Sequence, residues 1–162
     1  MIALKEMDKV PFLCDLGGPY ADQLARLAEL KEYAPGAVIF RQGQDFPFLC
    51  LVLDGKVSLD VAVSGQEVAE VHRGGPGELL GWSPVLGRRS MTATARAATP
   101  LRLAVIELEQ VLGLCDRDPC FGSAFHRQVA LVLSSRLDET RRQLSRYLTH
   151  RPVLAAPSEG SD

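Results

Sequence analysis

Apolar residues run unbroken through Phe48-Leu49-Cys50-Leu51-Val52-Leu53 and then switch to alternation. Val57, Leu59, Val61 and Val63 interleave with Ser58, Asp60 and Ala62, which puts one set on each face of a strand. Asp54-Gly55 between the two stretches suits a tight turn with positive φ, so Phe48–Leu53 and Lys56–Val63 read as a hairpin. Ser64-Gly65 is a second turn leading into Gln66–His72, and Arg73-Gly74-Gly75-Pro76-Gly77 is a loop. Val38-Ile39-Phe40 follows the turn Pro35-Gly36 as a short β-rich run that Gly43 breaks. Thr92–Ala98 alternates again, with Ala93, Ala95 and Ala97 against Thr92, Thr94 and Arg96. Pro100 interrupts, and Leu101–Ile106 is a last strand. Short strands with turns every eight to twelve residues or so predict an all-β sandwich or barrel.

The helical signals lie at the two ends. Gly18-Pro19 opens a helix over Tyr20–Leu30, with Leu24, Leu27, Ala28 and Leu30 on its apolar face. Glu107–Cys115 reads as a short helix. Asp118 as N-cap and Pro119 behind it start another, and no proline intervenes up to Leu148, so one long helix is expected. Phe121, Phe125, Val129, Val132 and Leu133 would cover the barrel with its first half. His126, Ala130, Leu133, Leu137, Thr140, Leu144, Tyr147 and Arg151 follow four-three spacing, the seam by which two helices pair. Arg136, Arg141, Arg142 and Arg146 make the distal half basic, which reads as a solvated face favoured near a helix C-terminus. The division expected is a barrel with N-terminal helices over residues 1–118, the long helix over 119–150, and a disordered tail over 151–162.

Composition narrows the function without naming it. A chain of 162 residues is one domain with a real core, and 46% apolar with 23% charged residues is an ordinary globular balance. A formal charge of −2 gives no global attraction to nucleic acid or to an acidic membrane. The first residues carry no long apolar stretch, so a cytoplasmic protein is expected. Cys14, Cys50, Cys115 and Cys120 include no C-x-x-C pair and read as buried, reduced thiols. His72, at a strand end, reads as a surface or hydrogen-bonded histidine. There is no Ser/His/Asp constellation and no phosphate loop ending in Gly-Lys, so no catalytic residues are assigned.

One stretch resembles a known family closely. Pro76-Gly77-Glu78-Leu79-Leu80-Gly81-Trp82-Ser83-Pro84-Val85-Leu86-Gly87-Arg88-Arg89-Ser90-Met91-Thr92-Ala93-Thr94-Ala95-Arg96-Ala97 resembles, without a gap, the phosphate-binding cassette of cyclic nucleotide-binding domains. That cassette reads roughly Pro-Gly-x-x-Phe-Gly-Glu-Leu-Ala-Leu-Leu-x-x-x-Pro-Arg-Ala-Ala-Thr-Val-x-Ala. Pro35–Gly43 looks like the family's Pro-Gly-x-x-Ile-x-x-x-Gly, and Leu51–Val57 looks like its Phe-Ile-x-x-Gly-x-Val. The resemblance, to the superfamily of catabolite activator protein and the protein kinase A regulatory subunit, implies a mainly β fold with flanking helices. Its core would be a double-stranded β-helix, or jelly-roll, of about eight strands, with N-terminal helices and a long C-terminal helix that commonly forms the dimer seam. Here that seam is Ala130, Leu133, Leu137, Thr140, Leu144 and Tyr147.

The resemblance also places the pocket, at Leu80, Gly81, Trp82, Ser83, Arg88, Arg89, Ser90, Met91, Thr92 and Ala93. Gly81 would let backbone approach the ligand, and the small residues after it leave room for a phosphate. Two chemical residues are missing. The family's ribose-binding Glu falls on Trp82, and its phosphate-binding Arg falls on Met91. An Arg is a permanent planar fork that neutralises phosphate, and Met cannot replace it. The expected function is therefore a regulatory, non-catalytic module, ligand-sensing or partner-binding, with weak or lost binding of cAMP or cGMP. Only about a dozen residues follow the long helix, where related transcription factors carry a helix-turn-helix, so no DNA-binding output domain is expected. The partners expected are a second copy, a protein, or a small-molecule ligand, with no nucleic acid, no membrane and no resident cofactor or metal. Two alternatives stay open. One is a working cAMP or cGMP sensor in which Arg88 or Arg89 meets the phosphate. The other is a haem or metal-binding barrel, for which Cys50, His72 and Cys120 are the conceivable ligands. His72, His126 and His150 are too scattered for the clustered set of a cupin enzyme.

Overall fold

Two antiparallel four-stranded sheets face each other, and their apolar patterns tell them apart. In the computed structural model, which describes residues 10–65, 67–88 and 90–149, the first sheet holds β1 (Glu29–Tyr33), β3 (Phe48–Asp54), β6 (Leu79–Leu80) and β8 (Leu101–Glu107), in the order β1-β8-β3-β6. The second holds β2 (Val38–Phe40), β4 (Val57–Ser64), β5 (Glu67–Gly74) and β7 (Thr94–Ala97), in the order β2-β7-β4-β5. In the first sheet β8, β3 and β6 are covered on both faces, while the edge strand β1 is largely exposed. Leu49, Leu51, Leu79, Ala104 and Ile106 join a core under the helices, while Cys50, Val52, Leu80, Leu103 and Val105 join the core between the sheets. A strand covered on both faces has no use for polar positions, hence the unbroken run at β3. The second sheet gives Val57, Leu59, Ala95 and Ala97 to the inter-sheet core, but the alternation expected along β4 holds only for that inner end: Ser58 is buried too, and Val63 is 64% exposed because the strand runs out past the edge of the core.

That difference overturns the expected hairpin. β3 pairs with β8 and β6, whereas β4 pairs with β5 and β7, so the two strands lie in different sheets. Asp54-Gly55 is a crossing between sheets. Gly55 has φ +88°, and a β-carbon there would lie 2.1 Å from the Pro100 carbonyl oxygen.

The helices are α1 (Pro11–Leu16), α2 (Gly18–Leu27), α3 (Leu108–Arg117) and α4 (Pro119–Thr149). The expected helix over Tyr20–Leu30 stops at Leu27 because the chain turns extended at Ala28 and pairs with β8, setting Leu30 opposite Ala104. The long helix begins where its cap predicts: Asp118 Oδ1 accepts from the amides of Cys120 and Phe121 at 3.0 and 3.1 Å. Phe121, Phe125 and Val129 are buried with Leu13, Leu16 and Leu24, and Phe12 meets Phe125 edge-on at 6.0 Å. Val132 and Leu133 are half-buried against the same core, while Ala130, Leu137, Thr140, Leu144 and Tyr147 are exposed. No described helix is long and apolar enough to cross a membrane. Of the four cysteines only Cys50 is buried, which corrects the expectation for the others; burial pushes its thiol up to about 12. The expected tail at 151–162, with His150, lies outside the described residues.

Candidate functional site

The cassette folds as a short helical turn between two strands, as its resemblance implied. After β6 the chain turns at Gly81, and Trp82 leads into a 3₁₀ turn over Ser83–Leu86 that Gly87 ends in the left-handed region. The Val85 amide donates to the Trp82 carbonyl at 3.0 Å, and the Arg88 amide to the Ser83 carbonyl at 3.2 Å. Gly81 is needed for a reason other than the one expected. With φ +74°, its β-carbon would lie 2.1 Å from the Phe48 carbonyl oxygen, so the crowding comes from the protein's own β3. Further on, Met91 is stitched to the loop after β2: its amide donates to the Gln44 carbonyl at 2.9 Å, and its carbonyl accepts from the Gly43 amide at 2.8 Å. Its side chain is 3% exposed, inside the inter-sheet core.

The space left behind the cassette is a cavity of about 30 Å³, room for little more than a water molecule. Leu80, Gly81, Trp82, Ser83, Met91, Thr92 and Ala93, all named from the sequence, line it. Arg88 does not: it is exposed past the Gly87 turn. Ser90 is also exposed, bridged to Asp45, and Arg89 lies outside the described residues. Three further lining residues were not anticipated: Phe40, Leu59 and Arg136. Phe40 and Leu59 are inward positions of β2 and β4, and the alternation around Leu59 already pointed inward. Nothing local in the sequence marks Arg136, which meets residues 57 and 58 positions away.

Arg136 is therefore not on a solvated face, because α4 passes directly over the cassette. Its Nε donates to Glu78 Oε1 at 2.9 Å, and a terminal nitrogen donates to the same oxygen and to the Leu79 carbonyl. Its guanidinium carbon lies 5.8 Å from the centre of the Trp82 ring, a cation–π distance. The other carboxylate oxygen of Glu78 is 3.1 Å from His72 Nε2, and His72 Nδ1 is 2.7 Å from Glu139 Oε2. The first of these is a charge contact only, since His72 Nε2 is buried and lies outside hydrogen-bond geometry. The side chains of His72, Glu78 and Arg136 are 12%, 16% and 15% exposed, so solvent screens them little. The adjoining Glu78 carboxylate raises the pKa of His72 above its ordinary value, against the opposing pull of burial. Burial pushes the Glu78 carboxyl up, but His72 and Arg136 together outweigh it and hold it below the usual carboxylate range.

The residues named for haem or metal do not meet. Cys50 is in the inter-sheet core, His72 in the ionic cluster, and Cys120 exposed at the start of α4. Among the described residues no group of three His, Cys, Asp or Glu could hold a metal ion.

The family model described as cyclic nucleotide-binding domain matches residues 30–118. Among solved structures, the chain is similar to a putative cyclic nucleotide-binding protein of Geobacter metallireducens, at 25% identity over 85% of this chain and 99% of that one, TM-score 0.74. It is similar to the catabolite activator protein of Thermus thermophilus at 28% identity over 85% of this chain and 62% of that one, TM-score 0.69. A cyclic nucleotide-binding domain from Methylobacillus flagellatus shares the fold, with TM-score 0.79 over 94% of this chain and 86% of that one, at 14% identity. No curated protein sequence matches the chain.

Proposed function

The chain belongs to the cyclic nucleotide-binding domain family, and we propose that this member is a regulatory, non-catalytic module of the cytoplasm that binds cAMP and cGMP weakly or not at all. The observation that carries the reading is the cavity behind the cassette. It is about 30 Å³, while pockets for ligands of nucleotide size run to roughly 300 Å³ or more. Met91 occupies the place of the phosphate-binding Arg, and Trp82 that of the ribose-binding Glu. The cation that does line the cavity, Arg136, is already paired with Glu78. A phosphate entering there would have to displace a carboxylate to find a partner. Signalling then runs through a protein partner or a different small ligand.

Calorimetry with cAMP and cGMP tests this. Wild type should give no saturable heat below about millimolar nucleotide. The double change Trp82→Glu and Met91→Arg restores both charged groups on an intact frame and should gain about tenfold to a hundredfold, a charge-assisted pair being worth roughly 1.5–3 kcal/mol. Tight wild-type binding that disappears in Arg88→Ala with Arg89→Ala would instead establish the two loop arginines as the phosphate ligands.

The same reading includes a homodimer through α4. Its support is that Leu137, Leu144 and Tyr147, at seam spacing, are 50%, 56% and 74% exposed, an apolar stripe that a second copy would cover. Light scattering should give twice the chain mass for wild type and the chain mass for Leu137→Lys with Leu144→Lys. A wild-type monomer at high concentration removes the dimer from the reading.

A further inference from the structure

We propose that His72, Glu78, Arg136 and Glu139 form a proton-gated latch that pins the middle of α4 to the cassette without any bound ligand. Three elements meet there. β5 brings His72, the loop before β6 brings Glu78, and α4 brings Arg136 and Glu139, three residues apart and so on one face of the helix. Arg136 holds Glu78 and the Leu79 carbonyl, and Glu139 holds His72 Nδ1. One imidazole thus stands between two carboxylates, one fixed to the barrel and one fixed to the helix.

The position gives the cluster its leverage. Past Leu133, the described residues of α4 contribute no side chain to either apolar core. Just beyond that point, Arg136 and Glu139 hold the helix to the barrel by polar contacts. Further along, Leu144, Tyr147 and Leu148 are exposed.

The charge of His72 decides whether the cluster closes. With the imidazolium present, two cations face two anions: Nδ1 meets Glu139, and the Nε2 side carries positive charge toward Glu78. A neutral imidazole can keep its proton on Nδ1 for Glu139 but then turns a lone pair toward Glu78, and the two carboxylates are left with Arg136 as the only full positive charge in the cluster. Among the described residues, the other charged groups near His72 are already engaged elsewhere, and Glu70 reaches it only as a weak through-space charge. Glu70 on the same strand is engaged by Arg73 at 2.9 and 2.6 Å, and Asp60 on β4 pairs with Arg96 at 3.8 Å.

The direction of the effect follows from the shifts. His72 titrates above the ordinary histidine value of 6.5, so the latch is complete below that value and is lost as pH rises through the raised one. Glu78 titrates below 4.5 and stays ionised throughout this window.

Hydrogen exchange of the full chain, corrected for intrinsic rates, tests the latch from about pH 5.5 to about pH 9. Amides of residues 132–144 should lose protection severalfold across the range, with a midpoint above 6.5, while those of 121–129 in the core stay unchanged. His72→Gln should abolish the pH dependence, and Arg136→Ala should leave the segment weakly protected at every pH. Fluorescence of the single tryptophan, Trp82, provides a second reading, since Arg136 lies over its ring. Protection independent of pH in wild type, or the same dependence in His72→Gln, overturns the proposal. If His72→Gln fails to fold, NMR titration of His72 in wild type and in Glu139→Gln decides. A lower midpoint in Glu139→Gln supports the latch, and equal midpoints overturn it.

Discussion

The cassette has an apolar side and an ionic side, and Arg136 touches both. On one side lie Phe40, Leu59, Leu80, Met91 and the Trp82 ring, packed until about 30 Å³ remains. On the other lie four ionisable groups, His72, Glu78, Arg136 and Glu139, that face one another as opposite charges. A pocket built for an anion keeps cations unpaired and space unfilled until the ligand arrives. Here neither holds. The chain has not lost its charges near the cassette; they have been turned on one another. Glu78 meets the helical arginine, so a carboxylate of the barrel bridges cassette and helix.

Deleting one member from each side breaks the comparison in different ways. Met91→Ala removes a fully packed side chain that cannot be replaced by water at no cost, and stability to urea should fall by about 2–5 kcal/mol. That loss should be the same at every pH, because no titratable group is involved. Arg136→Ala should cost somewhat less, about 2–3 kcal/mol, since Glu78 is left without its main partner but keeps His72. Its cost should change with pH. It is full where Glu78 is ionised, and it shrinks in the acid range as Glu78 takes up a proton, first in the variant, where Arg136 no longer helps to hold the carboxyl down, and then in wild type. Denaturation midpoints for both variants across pH separate a packing loss from an ionic one. Equal pH profiles would mean that the two sides are not distinct.

The sequence carried the apolar side far better than the ionic side, and for a physical reason. Burial on both faces of β3 and at the inner end of β4 leaves a trace in the residue pattern, so most strands could be read from it, while the turn at Ser83–Leu86 and the candidate pocket came only from the resemblance to the family's cassette. The partner of a strand leaves no such trace, which is why Asp54-Gly55 looked like a hairpin turn when it is a crossing between sheets. Ion pairs across the fold are less legible still. Arg136 sits in a helix segment whose composition is that of a solvated face, and its partner Glu78 lies 58 residues earlier. His72 looked like an ordinary strand-end histidine for the same reason: Glu78 and Glu139 reach it only once α4 lies over the cassette. The substitutions at Trp82 and Met91 were visible, but their outcome, a filled cavity, depends on side chains from β2, β4 and α4 together.

The smallest effect sharpens the comparison by holding pair geometry nearly constant while changing burial. Arg73 and Glu70 also form a two-point contact, Nε to Oε1 at 2.9 Å and a terminal nitrogen to Oε2 at 2.6 Å. Their side chains are 53% and 41% exposed, against 15% and 16% for Arg136 and Glu78. Water and salt screen the exposed pair, and either partner is readily rehydrated when the other is removed. Arg73→Ala should therefore leave the urea midpoint within experimental error of wild type, in both low and high salt. It has one secondary consequence. Glu70 loses its cation on the strand that carries His72, so the His72 midpoint should move slightly upward by NMR, toward a latch that holds to higher pH. A destabilisation by Arg73→Ala as large as that of Arg136→Ala would show that fork geometry, and not exclusion from water, gives the cassette cluster its strength.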